Sequence, residues 1–279
     1  MTVSQASQDY ERIEVRPVTP RIGAEVFGVD LSLPLDDQTF AEVHAAFTRH
    51  CVLFFRDQTL EHESQKAFGR RFGDLAIHPA IAAPEGHPEI VPIHADENST
   101  KIAGERWHSD VSCDEEPPLG SILYLHTIPE SGGDTLFANM YAAYDALSDR
   151  MKDYLDGLTA RHDGEEQYRG RYNSDDAGRT YPACDHPVVR THPETGRKCL
   201  FINPIFTTKI NGLPRLESSA ILRMLHEHCA NEDFQVRFRW QRGSVAFWDN
   251  RCVQHLAIWD YYPHTRSGFR VTIKGARPV

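Results

Sequence analysis

The opening residues, MTVSQASQDYERIEV, lack the basic start and the apolar stretch of an export signal. No run in the chain reaches the roughly 20 apolar residues that a membrane-crossing helix needs. Both absences predict a soluble, cytoplasmic protein with no membrane partner. Positive charge is also in short supply: 30 Lys and Arg face 40 Asp and Glu, a formal net charge of −10. Such a balance argues against nucleic acid or anionic membranes as partners. It also means that an anionic reagent must be held by local arginines, because the molecule as a whole does not attract it. The six cysteines are scattered with no C-x-x-C pair, which disfavours a disulfide framework or a structural zinc and predicts reduced, buried thiols. No repeat, low-complexity tract or Pro/Gly/Ser linker divides the chain. Residues 1–279 therefore read as one domain, with a loose tail over 1–10.

What is present is a succession of short apolar runs. Residues 36–50 are expected to be helical, capped by Asp36 or Asp37, with Phe40, Val43 and Phe47 at helical spacing. A buried strand should follow over 51–55, then a helix over 61–72 stopped at Gly73. Residues 79–106 are rich in Pro, Gly, Asn and charge, and read as a long irregular segment with the character of a lid. Strands are expected over 107–112, 120–127 and 135–137, the last after the turn Gly132-Gly133-Asp134. A helix is predicted over 139–157, a second long loop over 163–183, strands over 188–191 and 198–203, and a helix over 214–230. Phe234, Val236, Phe238 and Trp240 alternate, as do Val245 and Phe247, which predicts a hairpin turning at 241–243. A last strand covers 270–274. Many short strands with a few bracketing helices predict a mainly β, α+β domain built as a sandwich or jelly-roll barrel.

The chemistry-bearing residues are His108-Ser109-Asp110, then His255 far downstream, then Arg266 and Arg270. On an extended segment, positions i and i+2 share a face, so His108 and Asp110 would project together. Two imidazoles and one carboxylate hold a metal by one face and leave the other open, the ligand set of non-haem Fe(II) oxygenases. The same set also binds zinc, so a zinc hydrolase is the chemical rival. With 15 histidines in the chain the triplet by itself is weak. Other histidines fit worse: His226 and His228 diverge on a helix, His50 suits a helix C-terminus, and His186 and His192 read as surface or loop residues. Arg266 and Arg270 would face the same side of an extended segment. Guanidinium groups form planar, bidentate bonds to carboxylate or sulfonate, so two of them beside one metal can hold two anions.

Trp107-His108-Ser109-Asp110-Val111, Pro117-Pro118-Leu119-Gly120-Ser121-Ile122-Leu123-Tyr124, Gly132-Gly133-Asp134-Thr135, Phe206-Thr207-Thr208 and Trp248-Asp249-Asn250-Arg251 look like signatures of one family. So does His186-Pro187-Val188-Val189-Arg190-Thr191-His192-Pro193. With them the chain resembles, almost end to end, the taurine dioxygenase family of iron- and 2-oxoglutarate-dependent oxygenases. The resemblance implies a double-stranded β-helix core, with Fe(II) held by His108, Asp110 and His255 and with O2 as second co-substrate. It places the distal carboxylate of 2-oxoglutarate on Arg266 and Thr135. Arg270, His78 and the backbone of Val111 would grip a small anionic organic substrate, and Phe206 would wall it. The implied reaction hydroxylates a sulfonate such as taurine or a more apolar relative, with release of succinate and CO2 and collapse to aldehyde and sulfite. An alkyl sulfate or aryloxyalkanoate would undergo the same chemistry. A homodimer or homotetramer is the implied assembly. Two positions depart from taurine-specific members: Ile81 stands where they carry a tyrosine, and Gly104 where they carry an asparagine. The amine of taurine would have no partner there.

Overall fold

The structure, a computed structural model, describes residues 10–78, 81–170, 178 and 180–279. The expected tail over 1–10 therefore lies almost wholly outside the described residues, as does part of the 163–183 segment. The strands in chain order are β1 (Glu14–Pro17), β2 (Ala24–Phe27), β3 (Val52–Phe55), β4 (Ile90–Ala95), β5 (Gly120–Thr127), β6 (Thr135–Asn139), β7 (Thr159–Asp163) and β8 (Ala183–Pro187). They continue as β9 (Val189–Thr191), β10 (Lys198–Leu200), β11 (Thr207–Ile210), β12 (Gln235–Phe238), β13 (Ser244–Asp249), β14 (Val253–Ala257) and β15 (Arg266–Ile273). Seven of them form the large sheet β1-β2-β3-β13-β5-β15-β4, and a smaller sheet β12-β6-β14 faces it. The fold is mainly β with flanking helices, a jelly roll.

The two-residue period of a strand sorts the large sheet's side chains into two cores. Leu53, Phe55, Ile122, Val245, Phe247, Val271 and Ile273 pack on one side, against Phe47 of helix α1 (Asp37–His50) and Phe68 of α2 (His62–Arg70). Phe47 and Phe247 stack with ring centroids 3.9 Å apart. Truncating either ring would cost on the order of 3–5 kcal/mol. The alternate residues Val52, Phe54, Leu123, Leu125, Ala246 and Trp248 point the other way, into the barrel, where they meet Phe137 of β6. On β15 the outward positions are Val271 and Ile273, so the opposite parity, Arg266 and Arg270, faces inward.

Helix boundaries follow local chemistry. Asp36 caps α1, its carboxylate accepting the Gln38 and Thr39 amides at 3.0 Å each. The 139–157 segment is two helices, α3 (Met140–Asp145) and α4 (Asp149–Leu155), because the Ser148 side chain caps a fresh start. The 163–183 segment opens with a short helix, α5 (Glu165–Tyr168), and the predicted 214–230 helix forms as α6 (Arg215–Cys229).

Four further expectations are corrected. The 79–106 segment contains β4, an edge strand bonded to β15. The alternating runs around 241–243 form no hairpin: β12 bonds β6 in the small sheet, whereas β13 lies between β3 and β5 in the large one. Every residue of β13 is buried because both its faces are covered, a pattern that alternation alone cannot reveal. Residues 107–112 are not a strand; only His108 makes a bridge, and a turn follows. His186 and His192, expected at the surface, are buried at 0% and 1% exposure. Among the described residues no helix is long and apolar enough to cross a membrane.

Candidate active site

The small sheet and the 104–111 segment build the metal-competent cluster. His108 donates its backbone N–H to the His255 carbonyl at 3.0 Å and accepts the His255 N–H at 2.8 Å. This bridge extends β14 and sets the two imidazoles side by side, with ring centroids 4.0 Å apart. His108 Nδ1 lies 2.9 Å from the Arg106 carbonyl, which only accepts, so Nδ1 carries the proton and Nε2 offers its lone pair.

Asp110 reaches the cluster through a turn rather than by strand alternation. Ser109 Oγ donates to the Val253 carbonyl at 2.8 Å, the Asp110 amide donates to Asn250 Oδ1 at 3.2 Å, and Val111 takes a left-handed φ of 46°. Asp110 Oδ1 then sits 3.7 Å from His108 Nε2 and 3.9 Å from His255 Nε2. One ligand atom from each of the three residues falls within 4.8 Å of the others, and all three residues are buried. Burial raises the Asp110 pKa, but the Arg270 guanidinium first, and the Ser121 hydroxyl bond after it, hold it well below the usual carboxylate range. Burial lowers the pKa of His108, and burial with the neighbouring His108 ring lowers that of His255. The cluster thus offers two neutral imidazoles and one carboxylate, the protonation states that bind a divalent metal. These donors fit Fe(II).

A second buried group, His192, Asp249 and Cys252, does not fit a metal. Asp249 already accepts Arg251 Nε at 2.8 Å, Arg251 Nη2 at 2.7 Å and His192 Nε2 at 3.1 Å. Burial pushes the Cys252 thiol well up, away from the thiolate. This is a structural ion pair under the barrel wall.

Arg266 enters the same cavity from β15 at 5% exposure. Its Nε donates to the Gly133 carbonyl at 3.1 Å, Nη2 to Thr135 Oγ1 at 3.4 Å, and its guanidinium lies 5.4 Å from the Trp240 ring centre. Among the described residues it forms no ion pair. A buried cation without a carboxylate is costly, and an anionic ligand offsets that cost. Sequence reasoning passed over two partners. Trp240 Nε1 donates to Thr135 Oγ1 at 3.0 Å and so orients that hydroxyl. Gly133, at φ +72°, lets the chain approach Arg266, since a Cβ there would lie 3.1 Å from Arg266 Cδ. Only the Gly-Gly turn hinted at the latter.

Arg270, two strand periods further, donates to Asp110 Oδ1 at 3.0 Å and separates two cavities. The inner one, about 150 Å³, holds His108, His255, Thr135 and Arg266, with Ile81, Ile93, Ile102 and Ala103 as apolar wall. The outer one, about 250 Å³, is lined by His78 and Val111 together with Arg270. His78 Nδ1 accepts the Ile81 amide at 3.1 Å. Burial, then Arg270, pushes the His78 pKa down to about 4. The ring is neutral at physiological pH, with Nε2–H as its donor. Phe206 lines neither cavity; it packs with Cys113 and Ile205 behind Val111. Gly104, at φ +81°, lies where a Cβ would come within 2.8 Å of His108 Cε1.

Comparison with known proteins gives the chain's family. A sulfate ester dioxygenase from Pseudomonas putida, described as alpha-ketoglutarate-dependent, is 36% identical over 278 residues, 96% of this chain and 91% of that one. A taurine dioxygenase structure from Burkholderia xenovorans superposes with a TM-score of 0.85 at 39% identity, covering 96% of this chain and 91% of the other. A structure of AAD-2 in complex with Mn(II) and N-oxalylglycine superposes at 0.80 with 29% identity, over 95% of this chain and 98% of that one. Residues 14–272 match the profile described as "Taurine catabolism dioxygenase TauD, TfdA family", and the chain belongs to that family.

Proposed function

We propose that the chain, acting as a single catalytic domain over 1–279, is an Fe(II)- and 2-oxoglutarate-dependent dioxygenase that hydroxylates a small organic anion with an apolar body. His108, Asp110 and His255 are the metal ligands in this reading. When bound, Fe(II) supplies the activation of O2 and the oxidative decarboxylation of 2-oxoglutarate to succinate and CO2. The observation that carries the proposal is the buried Arg266, without an ion pair among the described residues, in the same cavity as the His108 and His255 rings that converge with Asp110. Arg266, with Thr135 oriented by Trp240, takes the distal carboxylate of the co-substrate.

Arg270 is placed to hold the substrate anion, helped by the neutral Nε2–H of His78 and the left-handed backbone at Val111. Phe206 supports that turn from behind. Fixing the anion fixes which substrate carbon lies near the metal, and the contribution is one of positioning and water exclusion. The carbon attacked is the one bearing the anionic group. Its hydroxylation puts OH and a sulfonate on one carbon, and that adduct collapses to an aldehyde and sulfite. A sulfate ester collapses likewise to aldehyde and sulfate, and an aryloxyalkanoate to a carbonyl acid and a phenol.

The cavity beside the metal ligands is walled by Ile81, Ile93, Ile102 and Ala103, and none of its described lining residues is a carboxylate. Asp114 and Glu116 line only the outer cavity, so an ammonium group has no counter-ion on this inner wall, and a substrate body lying along it is better an alkyl or aryl sulfonate or sulfate ester than taurine. The test is a panel of taurine, alkyl sulfonates, alkyl sulfates and aryloxyalkanoates, scored by succinate yield under O2 with Fe(II) and by released sulfite, sulfate or phenol. Taurine giving the highest turnover would overturn the apolar reading. Succinate formed with none of them would overturn the substrate class. The proposed homodimer or homotetramer is tested by light scattering on the purified chain.

A further inference from the structure

Two buried polar side chains outside the ligand set converge on the one ligand oxygen that faces away from the imidazoles. Ser121, at 0% exposure on β5, donates its hydroxyl to Asp110 Oδ2 at 2.7 Å. Asn250, at 2% exposure just beyond β13, donates its amide to Ser121 Oγ at 3.2 Å and points to Asp110 Oδ2 at 3.5 Å. The orientation of that amide is dictated by its neighbours. Asn250 Oδ1 faces Trp248 Nε1 at 3.0 Å and the Asp110 amide at 3.2 Å, and both of those groups can only donate. The NH2 end must therefore face Ser121 and the carboxylate. Hydrogen bonds run in one direction from Asn250 to Ser121 to Asp110.

From this we infer that Ser121 and Asn250 are positioning residues that keep Asp110 a one-oxygen ligand. The Ser121 hydroxyl fixes Oδ2 on the far side, so Oδ1, which accepts Arg270 Nη1 at 3.0 Å and lies 3.7 and 3.9 Å from the two Nε2 atoms, is the oxygen turned toward a metal. A carboxylate free to rotate can chelate through both oxygens. It would then occupy a coordination position that the co-substrate or O2 needs. The inference rests on the metal reading of His108, Asp110 and His255. It adds to it two residues whose side chains line neither cavity. It also assigns a role to the Ser of Pro117-Pro118-Leu119-Gly120-Ser121 and to the Asn of Trp248-Asp249-Asn250-Arg251.

The experiment is titration of metal-free wild type, Ser121→Ala and Ser121→Thr with Co(II), followed by calorimetry and by the d–d absorption band. Thermal melts of the metal-free proteins and the KM for 2-oxoglutarate are measured alongside. Loss of an outer-shell bond of this kind typically weakens metal affinity about 10–100-fold. Ser121→Ala is expected to lose affinity in that range, to shift the d–d band and to raise the KM for 2-oxoglutarate. Ser121→Thr, which keeps the hydroxyl, is expected to recover most of the affinity. Wild-type Co(II) affinity and an unshifted band in Ser121→Ala would overturn the inference, even if the variant melted earlier, since that is what a merely structural role produces. If the wild type takes up no Co(II), the metal reading itself fails and this inference goes with it. Asn250→Ala, which also releases Trp248, is read by the same band and is expected to move it in the same direction.

Discussion

His108 and His255 exchange both of their backbone hydrogen bonds, at 3.0 and 2.8 Å, and this bridge places two imidazoles from segments far apart in the chain side by side. The proposed metal site is therefore built on the barrel's own backbone ladder. Removing either ring, or the Asp110 carboxylate, should leave the bridge intact and abolish metal binding. His108→Ala and Asp110→Ala are expected to show native circular dichroism, no bound iron by elemental analysis, and no O2-dependent succinate formation. Wild-type turnover in either would refute the ligand assignment.

Arg266 should govern the co-substrate. Arg266→Ala leaves the distal carboxylate buried and unpaired, a loss on the order of 2–5 kcal/mol, or roughly 30- to 5,000-fold in affinity. The KM for 2-oxoglutarate is expected to rise within that range while iron content stays at the wild-type level. An unchanged KM would remove Arg266 from the co-substrate site.

Arg270 should govern the primary substrate. Arg270→Ala is expected to keep slow decarboxylation of 2-oxoglutarate in the absence of substrate and to lose the stimulation that substrate produces. The measurement compares succinate formed with oxidised product formed. Tight one-to-one coupling in the variant would count against the assignment.

Gly104 is a steric requirement of the proposed metal site. A methyl group there would sit 2.8 Å from the His108 ring, on a backbone at φ +81° that L-residues seldom adopt. Gly104→Ala is expected to weaken metal binding more than it lowers the melting temperature of the metal-free protein, as read by calorimetry on both forms.

Acid should destabilise the chain before its carboxylates titrate. Burial pushes His162 down to about 3, and pushes His50 and His226 down to about 4. In the unfolded chain each takes a proton near pH 6.5, so between about 6.5 and 4 the unfolded state binds more protons than the folded one. Stability is fully present above that window and falls as pH drops through it. Urea midpoints at pH 7.5, 6 and 5 should decline, and His226→Asn should flatten the slope.

Much of the chemistry was legible in one dimension. The His-x-Asp spacing, a distant His255 and an Arg pair four residues apart carry information about ligand type that no fold is needed to read. Motif likeness supplied the jelly roll, which composition alone left as sandwich or barrel. Elements with local causes came out close to expectation: α1 with Asp36 as its cap, α6, and β5. The failures share a different cause. Residues 107–112 alternate like a strand, yet Ser109 and Asp110 are held by Val253 and Asn250, partners more than a hundred positions away. The 234–247 runs alternate like a hairpin, yet they pair with β6 in one sheet and with β3 and β5 in the other.

What the amino-acid order determined by itself is the set of donors and cations, and the two-residue parity that puts Arg266 and Arg270 on one face of β15. What only the folded molecule decided is how they meet. It turns Asp110 toward the imidazoles, leaves Arg266 without a carboxylate among the described residues, moves Phe206 behind Val111, and closes Ser121 and Asn250 onto the second oxygen of Asp110. Parity and capping are set by neighbours in the chain, within reach of one turn or one pleat. Convergence of a ligand cluster depends on sheet register and on hydrogen bonds between remote segments, and these exist only once the barrel has closed.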